Sequence, residues 1–154
     1  MRSSQRPWLG AIILIACVSP LGAQQPVHVN VDRDGLGLYG YDPVAYFVDA
    51  KPVLGSRDLT ATFDGATYRF ATAAHRDAFQ ADPRRYLPAY GGFCAYGVAS
   101  GYKVKIDPEA WRIVEGRLYL NYDKRTQAKW VQDIPGYIAK AEKNWPELRD
   151  KPRK

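Results

Sequence analysis

Cysteine is scarce in this chain. Only Cys17 and Cys94 occur in 154 residues, beside two histidines and one methionine, Met1. No disulfide framework or metal staple is therefore at hand, and the fold must rest on an ordinary core. Four Trp, eleven Tyr and five Phe supply the bulk for it. No phosphate loop, nucleotide fingerprint, supported pair of catalytic carboxylates or Ser/His/Asp order is found, so no enzyme class is indicated. Nor is there a stripe of Lys and Arg able to track phosphates, which speaks against nucleic-acid binding. The length fits one domain.

Residues 1–23 have the layout of a secretory signal peptide. Arg2 and Arg6 form a positive start, Trp8 to Val18 a short apolar run, and Ser19-Pro20 a break before Leu21-Gly22-Ala23. The apolar run is too short for a stable bilayer-spanning helix. Export to the periplasm is the expectation. Removal of this segment takes away two arginines and no acid, lowering the net charge from +6 to +4. Leu14-Ile15-Ala16-Cys17 also has the form of a lipobox, in which Cys17 would be lipidated and the protein anchored to a membrane face. Cleavage after Ala23 instead leaves a free protein whose one cysteine is Cys94.

Residues 24–40 read as a linker or an entry strand, residues 41–148 as the folded domain, and residues 149–154 as a solvated basic tail. Asp42-Pro43 starts a short helix, since aspartate accepts from free N–H groups and proline loses nothing at the first position. Asp64-Gly65 predicts a hairpin between Leu59–Phe63 and Ala66–Phe70, because both turn positions take positive φ. Thr72 then caps a helix through Gln80, and Asp82-Pro83 a second short one.

A shift of 51 residues repeats this grammar. Phe63-Asp64-Gly65 meets Val114-Glu115-Gly116, Tyr68 meets Tyr119, Thr72 meets Asp123, and Phe79 meets Trp130. Asp82 meets Asp133, and Tyr86-Leu87 meets Tyr137-Ile138. The expected fold is α+β, with two hairpin–helix units packed together around a glycine-rich connecting segment. That segment, Tyr90-Gly91-Gly92-Phe93-Cys94-Ala95-Tyr96-Gly97, reads as lacking a counterpart in the repeat.

The run Tyr68-Arg69-Phe70-Ala71-Thr72-Ala73-Ala74-His75, with Phe79, Asp82-Pro83 and Tyr86-Leu87 after it and Asp42-Pro43-Val44-Ala45 before it, resembles the YHS domain family in an exported bacterial form. The resemblance spans about residues 41–87. It implies a small α+β binding domain that holds metal through cysteines. Here Ala45 and Ala71 stand at two of those cysteine positions and His75 at the third. Alanine has no donor, so the family's cysteine site does not carry over.

Cys94 and His75 are the candidate site residues. Cys94 is either a thiolate ligand or reactive thiol presented by the Gly91-Gly92 loop, or a small buried hydrophobe. His75 sits at a helix N-terminus, where the dipole disfavours imidazolium and leaves a ring able to coordinate. Its repeat counterpart, Thr126, shows that the fold itself does not demand histidine. His28 falls in the linker and reads as incidental. Together Cys94 and His75 suit Cu or Zn with a further ligand, although copper carriers usually offer methionines. The expectations are a periplasmic protein binding such an ion or a small ligand. The alternatives are a metal-free module docking on an envelope protein, and a thiol-dependent enzyme. Tyr39, Tyr41, Tyr46, Tyr90, Tyr96 and Tyr102 either line a pocket or pack with their hydroxyls satisfied.

Overall fold

A computed structural model describes residues 28–153. The signal-peptide and Cys17 readings lie outside the described residues. The fold is α+β, built from two antiparallel hairpins with helices packed on them. In the first unit β1 (Ser56–Phe63) pairs with β2 (Ala66–Phe70), followed by α2 (Ala73–Ala81) and α3 (Pro83–Tyr86). In the second, β3 (Asp107–Val114) pairs with β4 (Arg117–Asn121), followed by α5 (Lys124–Trp130) and α6 (Ile134–Leu148). Each hairpin is preceded by a short helix, α1 (Ala45–Val48) and α4 (Ala95–Ala99).

The repeat is visible in the backbone. Asp64 and Gly65 have φ of 50° and 80°, and Glu115 and Gly116 have 48° and 75°, so each tight turn closes on a left-handed pair. Both hairpins slip register at the same place, between Ser56 and Thr60 and between Asp107 and Trp111. The caps match too. Thr72 Oγ1 accepts from His75 N at 3.1 Å, and Asp123 Oδ1 accepts from Thr126 N at 2.6 Å.

The segment around Cys94 does have a counterpart, which corrects the sequence reading. Leu38, Tyr39 and Gly40 adopt φ of 51°, 55° and 84°, Tyr90, Gly91 and Gly92 adopt 55°, 60° and 79°, and Ala50 and Gly101 follow the two helices at φ 51° and 88°. The sequences there diverge because what is shared is main-chain conformation. At Gly91 the close approach requires glycine, since a Cβ would sit 1.9 Å from the His28 carbonyl oxygen.

Each unit has an aromatic centre. Phe79 packs against Tyr68 and Phe70 in the first, and Trp130 against Tyr119 in the second. A third cluster of Leu38, Tyr46, Cys94, Ile106, Leu118 and Leu120 joins the units. Tyr46 carries this junction, donating its hydroxyl to the Pro108 carbonyl at 3.0 Å and standing edge-on to Trp111. Residues 29–38 add Val29, Val31, Leu36 and Leu38 to the core. The tail folds back, with Arg153 donating to Asn30 Oδ1 at 3.0 Å. Residues 149–153 are all exposed, as a solvated tail requires.

Candidate functional site

Cys94 is the cap of α4. It is 1% exposed, and its sulfur accepts from Gly97 N at 3.4 Å and lies 3.8 Å from Asn121 Oδ1. Asn121 Oδ1 also accepts from Tyr96 N at 3.3 Å. Burial pushes the thiol up from its ordinary value of 9.0, although the N–H groups of Gly97, Tyr122 and Tyr96 pull the other way. Desolvation wins because backbone amides aimed at sulfur are long, weak bonds. The glycine-rich loop does not present an activated thiolate.

His75 faces a different partner. Its Nδ1 lies 2.7 Å from Asp42 Oδ2, with the imidazole side chain 12% exposed and the carboxylate side chain 0%. The same Oδ2 accepts from Ala71 N at 2.8 Å, and Oδ1 accepts from Val44 N and Ala45 N at 2.8 and 3.3 Å. One buried carboxylate thus ties together the start of α1, the end of β2 and the first turn of α2.

Asp42 and Cys94 are structural equivalents. Asp42 N donates to Val53 O, and Cys94 N donates to Val104 O. Each side chain caps the N–H three residues on, Ala45 and Gly97 respectively. Each also faces the N–H that follows its hairpin, Ala71 for Asp42 and Tyr122 for Cys94. The first unit fills this node with a carboxylate and an imidazole, the second with a thiol and an amide. Among the described residues Cys94 and His75 share no hydrogen-bond partner, and in the second node Asn121 Nδ2 is left without one. Asp42 was legible only as a helix cap, and Asn121 gave no signal at all. The Asp-Pro start of α1, set beside His75 at the end of the first hairpin, was the one available clue.

The donor set does not fit a cysteine-type metal centre. Ala45 and Ala71 carry no donor atom, Cys94 is spent on a cap, and among the described residues His75 keeps only Nε2 uncommitted. Among the described residues no group of three or more His, Cys, Asp or Glu is placed to hold a metal ion. The tyrosines pack: Tyr46 and Tyr90 are buried, with the Tyr90 hydroxyl donating to Glu142 at 3.2 Å.

A cleft of about 450 Å³ opens elsewhere, where the units meet. Phe63 and Asp64 at the first hairpin's tip, Arg84 of α3, Gly91, and Trp145 with Arg149 near the end of α6 line it. His28 also lines it, with Nε2 3.0 Å from Asp64 Oδ2. Gly91 of the glycine-rich segment and His28, read from the sequence as incidental, both lie in the cleft wall.

The thiol makes a direct prediction. Alkylation of Cys94 in the native protein should run at least about a hundredfold slower than in the denatured chain, because it must await local opening. With its folded pKa raised, the thiol keeps its proton where the unfolded chain loses one. Stability should therefore hold below pH 9.0 and fall as pH rises beyond it. Cys94→Ala should flatten the first part of that fall, read by urea denaturation across the pH series.

No protein-family model matches the chain, and neither a characterised protein nor a solved structure matches it.

Proposed function

We propose that this chain is an exported YHS-type binding protein that takes a small ligand, without a metal, in the cleft between its two units. The cleft is the observation that carries this reading. A concavity of about 450 Å³ is of a size that accepts a metabolite, and it mixes aromatic walls with a few polar groups able to orient a guest. It lies at a junction of two packed units, a common place for such sites. The YHS resemblance supports a binding role, and the lost cysteines separate that role from metal.

Amide and aromatic NMR shifts of the purified protein, followed through a panel of metabolite-sized ligands, test this. Perturbations should concentrate on Val29, Phe63, Tyr68, Leu87, Gly91 and Trp145. Zn(II) and Cu(I), titrated by calorimetry in a parallel arm, should show no tight stoichiometric binding. Binding of either ion that disappears in both Cys94→Ala and His75→Ala would overturn the metal-free reading. It would restore the shared thiol–imidazole site.

A further inference from the structure

We propose that the cleft is an anion site, and that its ligand is a small organic anion, a carboxylate or phosphate carried on an apolar or aromatic body. The proposal rests on the reading of the cleft as the ligand site. A second depression of about 290 Å³ adjoins the first and shares Arg84, Leu87 and Pro88 with it. Together they are lined by four arginines, Arg84, Arg85, Arg117 and Arg149, against one carboxylate, Asp64. The whole chain has 22 basic to 16 acidic residues, so the junction concentrates positive charge well beyond the average.

The arginines differ in what they already hold. Arg117 shares Glu142 at 3.0 Å, and Arg149 lies 3.6 Å from Asp150. Arg84 and Arg85 have no carboxylate within ion-pair distance among the described residues. Their guanidinium groups instead lie over aromatic rings, Arg84 over Phe63 at 6.0 Å and Arg85 over Tyr86 at 5.6 Å. Ring contact restrains a long side chain and leaves its N–H fork open, the state in which arginine meets a carboxylate or phosphate with two parallel bonds. Adjacent like charges repel each other, and an anion between them relieves that repulsion. Leu87, Pro88 and Trp145 supply the apolar wall for the rest of the ligand. The arginines line two adjoining depressions that share Arg84, rather than run along a stripe, so the site suits one or two anionic groups and not a polymer backbone.

The sequence reading found no such cluster, because Arg84 and Arg85 belong to α3, Arg117 to β4, and Arg149 follows α6. Only packing of the two units brings them to the two adjoining depressions.

Phenyl phosphate, inorganic phosphate and neutral benzamide are titrated into the purified protein, read by calorimetry and by NMR shifts of the cleft residues. Vesicles of phosphatidylglycerol form a fourth arm. Phenyl phosphate should bind and shift the cleft residues. Arg84→Gln/Arg85→Gln should weaken it by about tenfold or more, with unfolding unchanged since both side chains are exposed. Raising salt from about 50 to about 500 mM should weaken it as well. Binding to vesicles but not to the free phosphates would make a lipid headgroup the source of the same anion. Benzamide shifting the cleft residues as strongly as phenyl phosphate, with no effect of the arginine substitutions, would overturn the anion proposal and leave the cleft reading standing. No perturbation of the cleft by any probe would overturn both.

Discussion

Asp42→Ala should lower the unfolding free energy by about 3–5 kcal/mol, among the largest effects of any single substitution in this chain. Asp42 is fully buried, and its two oxygens accept from Val44 N, Ala45 N, Ala71 N and His75 Nδ1. Alanine strands the buried Val44 and Ala45 N–H groups together with the half-buried Ala71 N–H and the His75 imidazole. Leaving a buried donor unpaired costs about 1–3 kcal/mol, and the losses compound where one group serves three segments. Asp42→Asn should cost less. Its Oδ1 can still cap α1, but an amide at the other position turns a donor toward Ala71 N. His75→Ala should cost least, because Asp42 keeps its backbone donors. Urea denaturation of the three variants gives the order directly. An Asp42→Ala variant within about 1 kcal/mol of the parent would mean that water enters the node and that the carboxylate is not the tie described here.

The second large effect tests the repeat. Phe79→Ala and Trp130→Ala should each cost about 3–5 kcal/mol, since both rings are almost wholly buried at the centre of an aromatic group. Phe79 meets Phe63, Tyr68 and Phe70, with centroids 6.4, 5.1 and 5.1 Å away. Trp130 meets Tyr119 at 5.4 Å and leaves a larger hole. Because Tyr46, Leu118 and Leu120 bind the units into one core, both variants should still unfold in a single transition. Two separated transitions in Trp130→Ala, seen by tryptophan fluorescence and far-UV circular dichroism, would show instead that the units fold independently. Among the described residues Trp130 Nε1 has no hydrogen-bond partner, so a Trp130→Phe substitution should cost much less than Trp130→Ala.

The turn and cap chemistry was legible along the chain. Asp64-Gly65, Thr72 and Asp123 act through neighbours a few residues away, and their geometry follows from residue type. The repeat at 51 residues was legible for the same reason, since hairpins and helix starts constrain the residues that form them. It faded over residues 38–50 and 89–101. There the two units share backbone shape while filling it with different side chains, a carboxylate at Asp42 and a thiol at Cys94. A search for matching residue types passes over such an equivalence.

The site was the least legible part. Cys94 and His75 draw attention because cysteine and histidine are scarce, and the structure gives each a partner inside its own unit. The chain's local sequence determined the two hairpins, their caps and the aromatic centre of each unit, because those depend on short-range sterics and on burial of large rings. Only the tertiary structure decided that Cys94 is the buried counterpart of Asp42, with its thiol held above the ordinary value by desolvation. It alone gathered Arg84, Arg85, Arg117 and Arg149 around two adjoining depressions that share Arg84. Burial and convergence of charge depend on which faces meet when the units pack, and no spacing along the chain encodes that.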